Sequence, residues 1–133
     1  MKRINIDLAW GGPLRYPTLG DYSTPDNGET IDVTVAETGD WRFNFLVAIH
    51  ETIEAVLCRH AGIEFEKVDA FDFPFYGAGE PGDNPAAPYH KQHAIASNIE
   101  FQICQALGLD WNNYEAVLGH TFDRLYPETV TNG

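Results

Sequence analysis

Residues 30–58 read TIDVTVAETGDWRFNFLVAIHETIEAVLC, and this stretch decides the architecture. At its start Ile31, Val33 and Val35 alternate with Asp32 and Thr34, the pattern of a half-buried, β-branched strand over residues 30–37. Thr38-Gly39-Asp40 breaks the alternation, and Asp40 is placed to cap a helix. That helix is expected from about Trp41 to Ala61, with Gly62 positioned to end it. Between Phe43 and Cys58 the only ionisable residues are His50, Glu51 and Glu54, apart from the Cys58 thiol. A helix this apolar belongs in a core. Two carboxylates buried there are costly unless something compensates them. A divalent cation supplies the missing positive charge. His50 and Glu54 are four residues apart and share a helix face, with Glu51 one step round it.

Working outward, residues 3–9 (RINIDLA) alternate and predict a strand. Residues 11–29 are rich in Gly and Pro and predict a loop, with a turn or short strand at Tyr16–Tyr22. Residues 63–76 carry Phe65, Val68, Phe71, Phe73 and Phe75 and suggest a short strand or an extended segment. Residues 77–88 (GAGEPGDNPAAP) form a Gly/Pro loop of a length that more often serves a function than not. Pro88 suits the start of a further helix from Tyr89 to Leu107, stopped by Gly108. A last helix is expected over Asn112–Leu125, capped by Asp110 or Asn112, and the final residues PETVTNG read as frayed. The expected fold is α+β, a single domain over residues 1–133. A small, mostly antiparallel sheet packs on two long core helices, and a C-terminal helix closes one side.

A length of 133 residues supports one domain with its own core. The net charge of −12, from 20 acidic and 8 basic residues, argues against nucleic acid and anionic membranes as partners. The N-terminus lacks the apolar run of a secretory signal, and no stretch reaches the ~20 apolar residues of a membrane span. Cys58 and Cys104 lie in apolar helical runs, as buried free thiols of a cytoplasmic protein would.

The helix at residues 89–107 reads YHKQHAIASNIEFQICQAL. His93, Ala96, Ser97, Glu100, Cys104 and Leu107 fall on one stripe that is otherwise small and apolar. His93 and Glu100 therefore face the core, like His50 and Glu54. They are two turns apart, about 10 Å along the axis, too far to hold the same ion. His93, beside the Gly/Pro loop, is the preferred third metal ligand, with His90 in reserve. Glu100 is then expected to anchor Arg59 or a ligand imidazole. His50, Glu54 and His93 with a water make a His₂Glu site of the catalytic zinc type, with Glu51 as general base.

The strand TIDVTVAE followed by the helix with HETIE resembles the zincin metallopeptidases. Their signature is HExxH on a helix, with a third ligand on a later helix. On this resemblance His50 matches the first ligand and Glu51 the general base, while Glu54 stands where the second histidine belongs. The third ligand is Glu100 by likeness to the gluzincins and His93 by likeness to other zincins. The resemblance implies a zinc-dependent hydrolase of peptide or amide bonds, acting on a peptide or protein substrate. Glu54 adds negative charge at the ion, weakens it as a Lewis acid and widens the choice of metal to iron or manganese. The pattern as a whole also resembles small uncharacterised phage-encoded proteins. A second functional class follows from that likeness: a metal-stabilised interaction module that presents its acidic surface to a host protein.

Other residues read more simply. His60 is expected at the surface, and His120 at the surface or packed between helices. Asp69, Asp72, Glu80 and Asp83 are expected in a solvated acidic loop, lacking the spacing of a calcium loop. Tyr89 and Tyr114 are expected to pack, and Trp10, Trp41 and Trp111 to fill the core.

Overall fold

A computed structural model describes residues 1–9, 11–74 and 80–127. The chain forms three strands, β1 (Arg3–Ala9), β2 (Gly20–Ser23) and β3 (Thr30–Ala36). Four α-helices follow, α1 (Trp41–His60), α2 (Phe65–Asp72), α3 (His90–Ala106) and α4 (Trp111–Leu125). A 3-10 turn at Pro81–Asp83 precedes α3. The fold is α+β, as its sequence pattern predicts.

The sheet has the order β1-β3-β2. β3 carries the most consistent β-branched alternation and occupies the centre, with Ile31, Val33 and Val35 at most 1% exposed. β2 and β3 form an antiparallel hairpin whose turn contains Asn27 (φ 55°) and Gly28 (φ 85°), both in the left-handed region. β1 joins the other side of β3 in parallel. The sheet is thus mixed rather than mostly antiparallel. The hairpin fixes β3 at the centre, and β1 reaches its free edge running in the same direction.

α1 starts where expected. The Asp40 side chain accepts from the Arg42 N–H at 2.9 Å. Gly62, at φ 75°, ends the helix and lets the Ile63 N–H reach the Cys58 carbonyl at 2.9 Å. The helix lies on β3 and β2 and buries Phe43, Leu46, Val47, Ala55 and Cys58. α3 packs alongside it, and α4 closes the side through fully buried Tyr114, whose ring meets Phe43 at 5.3 Å. Cys58 and Cys104 are buried free thiols.

Residues 65–72 are helical, not extended. Phe65, Val68 and Phe71 recur every third residue, so a helix turns all three toward the core, and Val68 is 3% exposed. Arg15 ties this helix to the sheet through ion pairs with Asp21 and Asp69, and its guanidinium lies 5.1 Å from the Phe65 ring centre. Trp41 is 71% exposed in the first turn of α1, so it fills no core. Trp111 does pack, against Phe101 and Tyr114. Trp10, Phe75 and residues 128–133 lie outside the described residues. Among the described residues no helix is long and apolar enough to cross a membrane.

Candidate metal centre

α1 and α3 bring three donor atoms to one point. His50 Nε2 lies 3.1 Å from Glu54 Oε2 and 3.1 Å from His93 Nδ1. His93 Nδ1 lies 3.0 Å from the same Glu54 oxygen. The three residues are 4–6% exposed and are close enough together to hold one metal ion. The i, i+4 spacing on α1 supplies His50 and Glu54, and the helix beyond the Gly/Pro loop supplies His93.

The outer nitrogen of each imidazole meets a carboxylate. Glu100 Oε1 lies 2.8 Å from His50 Nδ1, and the Tyr114 hydroxyl donates to Glu100 Oε2 at 2.6 Å. With Nδ1–H donating to Glu100, the Nε2 lone pair of His50 is left for the centre. Arg59, the other expected partner of Glu100, donates instead to the Gly28 carbonyl. His93 Nε2 lies 3.0 Å from Asp83 and 3.2 Å from Glu80, so its Nδ1 faces the centre.

Glu80 and Asp83 are thus partners of His93, although both are mostly exposed. Asp72 is 9% exposed and accepts from the Tyr89 and Tyr16 hydroxyls. Asp72 therefore departs from the expected solvated acidic loop, whereas Glu80 and Asp83 stay exposed as expected while also reaching His93. For Glu80 and Asp83 the clue available in the sequence was their placement shortly before the histidine pair of α3. His90 does not join the centre. Its Nδ1 lies 2.9 Å from the Gly82 carbonyl and holds the 3-10 turn. That turn lies flat on the His93 ring: a Cβ on Gly82 would come within 2.5 Å of Nδ1. Only glycine allows this approach.

Glu51 lies beside the centre rather than in it. Its side chain packs on β2, where a Cβ on Gly20 would come within 2.7 Å of Glu51 Cγ. No hydrogen bond or ion pair reaches its carboxylate among the described residues. Burial, and then the charge of Glu54, push its pKa well above the ordinary carboxylate value, against the pull of His50. The Tyr22 hydroxyl is also buried without a hydrogen-bond partner. Burial and then the Glu54 charge push its pKa up.

The imidazoles are shifted too. Burial alone would lower the His50 pKa, but the bonds to Glu100 and Glu54 carry it up to about 11. His93 likewise rises to about 10, through Glu54 and Glu80 and against burial. Burial opposes ionisation of Glu54, yet its two histidines hold its pKa below the ordinary value. His60 and His120 are exposed, as expected.

No protein-family model, curated protein or solved structure matches this chain.

Proposed function

We propose that His50, Glu54 and His93 hold one divalent metal ion, zinc before iron or manganese, and that the protein is a hydrolase of peptide or amide bonds. One observation carries the metal reading: three buried donor atoms lie 3.0–3.1 Å from one another. Hydrogen bonds alone account poorly for that triangle. Two cationic imidazoles sharing one carboxylate oxygen would face each other at 3.1 Å and repel. Three lone pairs directed at a cation remove the conflict. In a tetrahedral site with ligands ~2.1 Å from the ion, neighbouring donors are about 3.4 Å apart, so a small opening of the triangle is enough. Two imidazoles and a carboxylate are also the donor set of catalytic zinc, with a fourth position for water.

Glu51 gives the hydrolase reading. It is the carboxyl beside Glu54 that no other described residue engages. A cation at the centre would offset the Glu54 charge and favour ionised Glu51, the form that accepts a proton from water. When bound, the metal would acidify that water and polarise a carbonyl. The Glu51 carboxylate would take the proton released as water adds and pass it to the departing amine.

A second reading is a metal-stabilised interaction module with an acidic surface for a basic partner. The depth of the centre favours it. The ligands are almost fully buried, and a cavity of about 310 Å³ lies elsewhere, lined by Tyr22, Cys58, Arg59 and Phe65. Elemental analysis of protein purified without added metal tests the ion: about one equivalent per chain is expected. Metal-free protein whose stability ignores chelators would sink the proposal. Glu51→Gln separates the two readings. It should keep the metal and abolish turnover of a peptide library in the hydrolase, and change nothing in the module.

A further inference from the structure

One edge of the sheet's inner face is uncovered at Ile4 and Ile6. Ile4, Ile6 and Leu8 of β1 register with Ile31, Val33 and Val35 of β3, so all six share one face. α1 packs on β3 and β2 and leaves β1 overhanging. Ile4 is therefore 42% and Ile6 53% exposed, while their β3 partners are buried. Among the described residues β1 is an edge strand, and no other strand pairs with its outer side. On the opposite face Arg3 and Asp7 are exposed, with no ion-pair partner among the described residues.

Edge strands are commonly protected by charged side chains, lysine above all, or by proline, a bulge or a covering element. β1 carries one charge of each sign, placed symmetrically about Asn5. We propose that β1 pairs antiparallel with β1 of a second copy about a two-fold axis through Asn5, joining the two sheets into one.

The register follows from symmetry. A two-fold axis normal to the sheet keeps both apolar faces on the same side, and it must pass through a residue, not between residues. Through Asn5, Arg3 of one chain faces Asp7 of the other, twice per dimer. Ile4 of one chain then faces Ile6 of the other, covering the two exposed isoleucines together. Moving the axis to Ile4 sets Arg3 against Asn5 and Lys2 against Ile6. Moving it to Ile6 sets Arg3 against Ala9 and Asp7 against Asn5. Neither sets side chains of opposite charge against each other. The charge complementarity selects a second copy of this chain as the occupant of the edge.

Light scattering and sedimentation of the full chain, from low to high micromolar, test the pairing. The wild type is expected to form a dimer. Arg3→Asp or Asp7→Arg alone sets like charges together twice and should raise the dimer dissociation constant by about tenfold or more. The double variant restores opposite charges and should restore the dimer. Ile6→Lys should give monomers with an unchanged circular dichroism spectrum. If a swapped chain fails to fold, hydrogen exchange of the wild type replaces it: outward-facing β1 amides should gain protection with concentration. A wild type that stays monomeric, a dimer indifferent to both single swaps, a double variant that fails to recover, or β1 exchange independent of concentration would each overturn the proposal.

Discussion

Glu100 sits 2.8 Å from His50 Nδ1, and this contact decides which face of the imidazole points at Glu54 and His93. A carboxylate two turns beyond His93 on α3 thereby orients a donor on α1. Tyr114 in turn holds Glu100. The chain Tyr114–Glu100–His50 links three helices through one buried line of hydrogen bonds.

Glu100→Leu should weaken metal binding by about 10–100-fold, because His50 loses the partner that fixes its tautomer. Glu100→Gln can still accept from Nδ1–H and should recover part of the loss. Tyr114→Phe leaves one oxygen of Glu100 unpaired and should cost about 1–3 kcal/mol in stability. Calorimetric metal titration and thermal melts measure the two effects separately.

His93→Ala should lower metal affinity by orders of magnitude. His90→Ala should act less, and only by loosening the Gly82 turn against the His93 ring. Equal and negligible losses for both would remove His93 from the ligand set. Cobalt titration followed by visible absorption gives the ranking.

Chelation should lower the melting temperature, and one equivalent of zinc should restore it. If free metal is about 100–1,000 times the dissociation constant, bound ion adds about 2.7–4.1 kcal/mol. The same melt of a His50→Ala chain should ignore the chelator.

The metal-free and metal-bound proteins should respond oppositely to pH. Without metal, His50 and His93 have pKa values raised from 6.5 to about 11 and about 10. The folded state then binds more protons than the unfolded one between these limits. Their contribution to stability is complete below about 6.5 and is lost as pH rises through 10 to 11. Metal must displace those protons, so its affinity should rise with pH. Melts of chelated and zinc-loaded protein across this range check the opposed slopes.

Asp72 predicts a second pH effect. Burial, only partly offset by the Tyr89 hydroxyl, raises its pKa from 3.8 to about 6. The folded state holds that proton longer than the unfolded chain, so Asp72 lowers stability as pH climbs from about 3.8 to about 6. In chelated protein, Asp72→Asn should flatten this part of the profile. An unchanged profile would place the titration elsewhere.

Much of the fold was legible because its signals are local. β3 was read from its β-branched alternation, and α1 from Asp40 at one end and Gly62 at the other. The meeting of His50, Glu54 and His93 was legible from polar residues on two apolar stripes. α2 was missed because its aromatic residues also suit an extended chain, and only contact with the core selects the helix. The parallel pairing of β1 was not visible, since strand direction depends on a long connection with no periodic signal. The roles of Glu80 and Asp83 were hidden for a related reason. Exposed carboxylates in a Gly/Pro segment look alike until the turn folds back onto His93.

Gly20 and Gly82 bring no reactive group, yet each presses bare backbone against a side chain at or beside the candidate centre, Glu51 in one case and His93 in the other. Natural variation should therefore be narrowest at two positions that a catalogue of reactive groups would pass over. Among descendants of this sequence, a lineage could exchange one candidate ligand for another and stay in use. A lineage that gained a single methyl group at residue 82 would lose the seat of its imidazole at once. A saturation library scored for zinc uptake should show positions 20 and 82 as intolerant as the donors themselves.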